Sequence, residues 1–208
     1  WIMWETEQFT DEPISNYVVD FGSSDHMTDG NRDVLVVAVR KDSVDAMQDI
    51  VDAAGITPAG LTVASIALIN AFEVTHSLSD LETAAIAHIE PGAIDIILIQ
   101  DASLNLSVMP LGSEQGNNEN AIESFSTQFR HLLNVKGEGD GPDTVYVSSE
   151  RKDLDRLCRQ WDEQLDCCIT PGIPLDGLQI DDDITDEVKR LNQAEFMVAI
   201  GLAVQTET

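Results

Sequence analysis

Positive charge is what this sequence has least of. Its 208 residues hold 11 Lys and Arg against 38 Asp and Glu, a formal net charge of -27. No Lys or Arg precedes Arg32, and none lies between Lys41 and Arg130. Such a surface repels nucleic-acid phosphates and anionic headgroups, which argues against nucleic acid and direct membrane adhesion. Solubility or a saline habitat is the plainer reason for the charge. Cysteine is scarce too: Cys158, Cys167 and Cys168 are three in number and form no C-x-x-C pair. An odd count with two adjacent members does not make a disulfide framework, and the usual zinc-ribbon and dithiol spacings are missing. A reducing, cytosolic compartment fits best. No apolar run reaches the ~18–20 residues of a membrane span. No basic-then-apolar leader opens the chain. It begins at Trp1 without a methionine, as a piece of a longer protein would.

Apolar residues make up 43% of the chain, enough for a core. Residues 1–9 read as a helix end that Pro13 stops, with Trp1, Trp4 and Phe9 as core candidates. Residues 17–21 read as a strand and residues 22–32, with Asp29-Gly30-Asn31, as a polar loop. Residues 33–40 are β-branched and almost continuously apolar, the pattern of a strand covered on both faces. Residues 41–54 place Val44, Met47, Ile50, Val51 and Ala54 on one helical face, with Asp42 or Ser43 as cap and Gly55 as stop. A strand over 61–64 and a short helix over 65–72 complete a β-α-β-α unit.

A second block follows Leu81. Strands over 84–89, 93–100 and 104–111 are joined by tight turns at Pro91-Gly92 and Asp101-Ala102-Ser103, which makes a meander. A polar loop over 112–120, a helix over 121–133 with Ile122, Phe125, Phe129 and Leu132 inward, and a Gly-rich linker over 136–142 come next. Then come a strand (144–148), a helix (153–165), a strand (167–170) holding Cys167 and Cys168 as core, and a small-residue helix (193–204) packed on a sheet. Three meander strands, a helix, β-α-β and a closing helix resemble an α/β lobe of the ribonuclease-H/actin type, and the first block would be the other lobe, or an inserted subdomain plus the end of that lobe.

Motifs with chemistry are few. His88 and Glu90 alternate on one strand and face the same way. With His76 they make a candidate metal set, against the commoner reading of a turn-exposed pair. The acidic run Asp181-Asp182-Asp183 lacks the calcium-loop spacing and suits a solvated helix start. Gly112-Ser113-Glu114-Gln115-Gly116 has no Gly-Lys-Ser/Thr ending, so it is an ordinary loop. Ser148-Ser149 with a histidine lacks the Gly-x-Ser-x-Gly elbow of a hydrolase.

Several segments, in order, resemble the PilM family of type IV pilus assembly, also called competence protein A, within the actin-like superfamily. Met3-Trp4-Glu5-Thr6-Glu7-Gln8-Phe9 resembles its W-E-A-E-Q-Y segment, and Val18-Val19-Asp20-Phe21 its next strand. Val34 to Arg40 with Lys41-Asp42-Ser43-Val44-Asp45 resembles its strand and K-x-x-V-D helix. Ala54-Gly55-Ile56-Thr57-Pro58 resembles its A-G-L-x-P turn. Leu61-Thr62-Val63 with Ala67-Leu68-Ile69-Asn70-Ala71-Phe72 resembles L-D-V…A-L-x-N-A-F. Phe196-Met197-Val198-Ala199-Ile200-Gly201-Leu202-Ala203 resembles its M-V-A-x-G-L-A helix.

The resemblance implies a two-lobed actin-like, ribonuclease-H-like α/β fold whose first lobe lacks its N-terminal part. Residues 1–76 would be an inserted subdomain and the end of that lobe, and residues 77–208 the second lobe. It also implies an ATP site, from which this chain departs. The family's D-I-G-A-x-x-T phosphate turn falls on His88-Ile89-Glu90-Pro91-Gly92-Ala93-Ile94. Ile89, Glu90 and Gly92 would be its remnant. Ser148 and Ser149 would stand at the adenosine turn, without its glycines. Glu90 brings a carboxylate where a phosphate would sit, and Pro91 has no N–H to donate. The expectation is a non-catalytic cytosolic scaffold without resident cofactor or metal. It would be peripheral to the inner membrane and would bind the cytosolic tail of a PilN-like membrane protein. Self-association stays open. The alternatives are ATP binding completed by the longer protein, or the actin-like domain of a type II secretion or FtsA-like division protein.

Overall fold

The structure is a computed structural model. It describes residues 1–28, 31–75, 83–100, 103–110, 125–127, 129, 142–165, 167–172 and 193–204. His76, the loop at 112–120, most of the linker at 136–142 and the acidic run at 181–183 lie outside them. The chain forms two compact units, Trp1–Val63 and Ala64–Thr208. The division falls ahead of the 76/77 boundary expected above; the helix after Val63 packs on the closing helix of the second unit.

The first unit runs α1 (Ile2–Glu7), a 3-10 turn (Ile14–Asn16), β1 (Tyr17–Thr28), β2 (Asn31–Arg40) and α2 (Lys41–Ala53). β1 and β2 pair antiparallel from Tyr17↔Arg40 to Thr28↔Asn31, with a register shift between Ser23 and Met27. The polar stretch expected as a loop is therefore mostly strand. Its polar residues suit a two-stranded ribbon, whose faces are not both covered. For the same reason β2 is half-buried rather than covered on both faces: Val34 is 37% exposed, and Leu35 to Val39 are intermediate.

β2 passes straight into α2, so Arg40 is the N-cap and no side chain caps the helix, neither Asp42 nor Ser43. Gly55 at φ +71 ends it as expected, in a left-handed conformation that glycine adopts without strain. α2 rests on the ribbon through half-buried Val44 and Val51, while Met47 and Ile50 are exposed. Lys41 Nζ donates to the Ser15 carbonyl at 2.6 Å, and Arg40 pairs with Glu12 at 3.2 Å. Trp1, Trp4 and Phe9 are exposed in this unit rather than core. Residues 61–63 are irregular, not a strand, since Pro58 and Gly60 interrupt the approach and Ala64 already belongs to the next helix. The expected β-α-β-α unit is thus not formed.

The second unit is a five-stranded sheet ordered β5-β4-β3-β6-β7. Its strands are β3 (Thr83–Glu90), β4 (Ala93–Gln100), β5 (Ser103–Pro110), β6 (Thr144–Ser149) and β7 (Cys168–Pro171). β3, β4 and β5 are the antiparallel meander; β6 joins β3, and β7 joins β6, in parallel. Helices α3 (Ala64–Thr75), α4 (Leu154–Gln164) and α5 (Gln193–Ala203) supply its cover. Alternation divides the strands between two cores. On one face Ala85, Ala87, Ile89, Ile96 and Val147 meet Leu157 and Trp161 of α4, with helical Phe125 and Phe129. Phe125 stacks on Trp161 at 3.8 Å between ring centroids and on Phe129 at 5.3 Å. On the other, Ala84, Ile86, Ile97 and Ile99 meet Leu68, Ala71 and Phe72 of α3 and Met197 of α5. The antiparallel meander and the parallel β6-α4-β7 unit are those expected above. Cys158 is core and Cys167 half-buried, but Cys168 is exposed rather than core. No described helix is long and apolar enough to cross a membrane.

Candidate functional site

The polar residues of the second unit gather where β3, β4 and β6 end beneath α3 and α5. Parallel pairing sets His88 beside Ser148 and Ile89 beside Ser149, and the β3–β4 hairpin sets His88 opposite Asp95. The expected remnants of two separate turns, Ile89-Glu90-Gly92 and Ser148-Ser149, are thereby brought together. His88, Ile89, Glu90, Pro91, Ser149, Glu150 and Arg151 line a cleft of about 650 Å³.

His88 is buried, not turn-exposed. The hairpin turn begins two residues later, and α5 closes over this part of the strand. His88 Nδ1 lies 3.1 Å from Ser148 Oγ, and Nε2 lies 3.1 Å from Glu90 Oε1. Ser148 Oγ also donates to the Ala194 carbonyl of α5 at 3.1 Å. Ser149 Oγ donates to the Ile89 carbonyl at 3.2 Å and accepts from the Arg151 N–H at 3.2 Å. Arg151 makes a forked pair with Asp153, at 3.0 and 3.1 Å. Gly92, at φ +100, serves the turn itself.

Glu90, His88 and Ser148 form a chain like that of a hydrolase triad, but Ser148 is 2% exposed and its hydrogen goes to a backbone carbonyl. A nucleophile needs a free approach to its oxygen, which Ser148 lacks. Among the described residues no three His, Cys, Asp or Glu side chains converge as a metal site. For a triphosphate the cleft is poorly furnished. Glu90 extends into it, Pro91 carries no N–H, and the hydroxyls of Ser148 and Ser149 are engaged with carbonyls. Residues that sequence reasoning missed are Asp95, Ser65 and Arg151. Asp95 Oδ2 accepts from Ser65 Oγ at 3.3 Å. Burial holds the Asp95 carboxyl above its ordinary value and Glu90 adds to this, against the Ser65 hydrogen bond and the nearby His88. Counting outward from the Pro91-Gly92 turn would have found Asp95 opposite His88.

The first unit has a groove of its own, about 640 Å³, between α1 and β2. Ile2, Phe9, Tyr17, Val34, Val36 and Ala38 give it an apolar wall, and Glu5 and Asp11 give it acidic edges.

Among known proteins, no curated protein matches the chain. Its fold resembles that of a solved PilM-PilN type IV pilus biogenesis complex, with TM-score 0.76 and 18% identity over 98% of this chain and 70% of that one. It also resembles a Bacteroides thetaiotaomicron protein with an actin-like ATPase fold and unknown function. There the TM-score is 0.52 and the identity 14%, over 80% of this chain and 58% of that one. These likenesses show an actin-like fold. The family model of the type IV pilus assembly protein PilM matches residues 3–109, just over half of the sequence. The chain therefore belongs to the PilM family of type IV pilus assembly proteins.

Proposed function

We propose that this PilM-family chain works as a non-catalytic scaffold on the cytoplasmic side of the inner membrane. In this reading it receives the cytosolic tail of a PilN-like membrane protein. The groove beside α1 and β2 carries the proposal. An apolar wall with acidic edges fits an extended segment that alternates apolar and basic residues. The tail of a bitopic membrane protein is basic when positive-inside orientation leaves it in the cytosol. The net charge of -27 would steer such a tail toward the chain while keeping it off anionic lipid. The reading of no catalysis draws support from Glu90 and Pro91 in the cleft, since a carboxylate there repels phosphate and Pro91 has no N–H to give.

Titration of a Lys/Arg-bearing tail peptide at low and high ionic strength tests this. The expected result is binding that weakens as salt rises, chiefly through the on-rate, and that weakens further in a Glu5→Lys, Asp11→Lys variant. Salt-independent affinity would remove the electrostatic part. Unaided binding to anionic vesicles would remove the need for a protein partner.

A second reading keeps the nucleotide pocket, because the β3–β4 turn and the end of β6 still converge on one cleft. ATP-dependent thermal stabilisation of the longer protein would favour it.

A further inference from the structure

β5 is an outer strand of the five-stranded sheet, and among the described residues it pairs with β4 alone. Its sequence Ser103-Leu104-Asn105-Leu106-Ser107-Val108-Met109-Pro110 holds no charged residue, in a chain with 38 Asp and Glu. Sheets keep foreign strands off an open edge with charge, with proline or a bulge, or by making the edge strand short. β7, at the other end of the sheet, uses two of these: it has four residues and ends on Pro171. β5 has eight residues, its ladder to β4 runs without a register shift, and proline stands only at its last position. Alternate residues of β5 turn their N–H and C=O groups away from β4. The side chains are apolar where they emerge. Leu104, Leu106 and Val108 face the α3/α5 side, opposite Ile99, Ile97 and Asp95. The cover thins along that row: Leu104 is half-buried, Leu106 is 40% exposed and Val108 65% exposed. Asn105 and Ser107 belong to the row on the other face.

We infer that β5 is an interface between two copies of this chain, which pair their β5 strands antiparallel about a two-fold axis centred on Leu106. The strand complements itself in that register. Leu106 meets Leu106, Leu104 meets Val108 and Asn105 meets Ser107 of the second copy, so apolar stands opposite apolar and polar opposite polar. The axis is perpendicular to the sheet, so the two sheets join into one, with α3 and α5 of both copies on the same side. A basic partner fits this edge less well. The chain's net charge of -27 attracts Lys and Arg, but a strand without carboxylates offers them nothing. A second copy brings no charge to the strand. It does bring repulsion between two bodies of like charge, which acts at long range and is screened by salt. One strand pair with a few apolar side chains buries less than about 1,200 Å², the size of a transient contact, so the dimer forms at high local concentration. β5 belongs to the second unit and the groove beside α1 to the first, so the inference stands apart from tail binding.

The test is analytical ultracentrifugation of the full chain, from micromolar to millimolar concentration, at low and high salt. A monomer–dimer equilibrium should shift toward dimer as salt rises, the sign opposite to that expected for a basic tail peptide. Val108→Lys should raise the dissociation constant about tenfold or more, since lysine blocks an edge and symmetry makes the substitution count twice. By making the chain less negative, the same substitution would otherwise favour association. For the register, Cys168→Ser removes the exposed thiol and is combined with Leu106→Cys or Val108→Cys, and the protein is oxidised with glutathione disulfide. Leu106→Cys should give a covalent dimer, because facing residues bring their Cα atoms to ~4.5–5.5 Å, within disulfide range. Val108→Cys should not, because its counterpart lies about 13 Å further along the facing strand. A chain that stays monomeric at every concentration and salt would overturn the inference. So would a dimer that Val108→Lys leaves unchanged, one that weakens as salt rises, or a covalent dimer from Val108→Cys but not from Leu106→Cys. Should Val108→Lys fail to fold, the salt dependence and the cross-link decide.

Discussion

Gly201 of α5 lies against the backbone of Ala67 in α3: a methyl group built on Gly201 would run into the Ala67 carbonyl oxygen, with the Ala67 Cα 3.0 Å away. Two helices approach this closely only where one of them has no side chain. The contact sets how α3 and α5 lie together over the Ile86, Ile97 and Ile99 face.

Gly201→Ala should therefore destabilise the second unit. In an open helix this change gains ~0.5–1 kcal/mol. Here the obstruction is backbone, which cannot move aside as a side chain can, and forced repacking costs ~1–3 kcal/mol. A lower denaturant midpoint for Gly201→Ala, and a lower one again for Gly201→Leu, is the expected result. A midpoint raised by Gly201→Ala would show that the helices are not held at this distance.

Asp95 and Asp153 should respond to pH with opposite signs. Burial raises the Asp95 carboxyl above its ordinary 3.8. The folded state then holds that proton more tightly than the unfolded one, and Asp95 costs stability as pH rises past 3.8. The Arg151 hydrogen bond lowers Asp153 below 3.8. Asp153 thus contributes stability above that value and loses it as pH falls through its folded value. Asp95→Asn should raise the melting temperature at pH 7, and Asp153→Asn should lower it. Both differences should shrink toward pH 3 in thermal melts. Equal signs at neutral pH would contradict the assignment.

The three thiols should separate by reactivity. Burial, with Asp155 and Asp162 adding to it, pushes the Cys158 thiol up to about 12. At pH 8 it stays protonated and covered, and the thiolate is the reactive form. Alkylation of the native protein, read by mass spectrometry, should mark exposed Cys168 first and Cys158 only after denaturation. Labelling of native Cys158 at the rate of Cys168 would mean that the α4 core opens readily.

ATP should bind at about millimolar strength or weaker, because a carboxylate beside a triphosphate in a cleft is poorly screened. Calorimetry is the measurement. Micromolar binding would favour the nucleotide reading over the scaffold. Glu90→Gln should then tighten whatever binding there is.

Much of this fold was already written in residue order. The alternation in β3 to β5 and the turn at Pro91-Gly92 specify the meander, because a period of two with a two-residue break has few other solutions. Phe125 and Phe129 read as core from helical spacing alone. The resemblance pointed to the same family that the sequence model then matched. It also singled out Glu90 and Ser148, which the structure sets near the ends of β3 and β6.

Tertiary structure decided what periodicity cannot encode. The residues 22–28 and 31–32 are polar yet form strand, since ladder hydrogen bonds are made by backbone and do not depend on side-chain pattern. Residues 61–63 look like a strand but pair with no strand among the described residues, and a strand without a ladder is not formed. His88 looked like a turn residue until the parallel pairing with β6 put Ser148 beside it and α5 covered both. That neighbour lies 60 residues away in sequence. Local sequence thus determined which segments become helix or strand. The crossing of distant elements decided which polar atoms face each other, and hence what the site can bind.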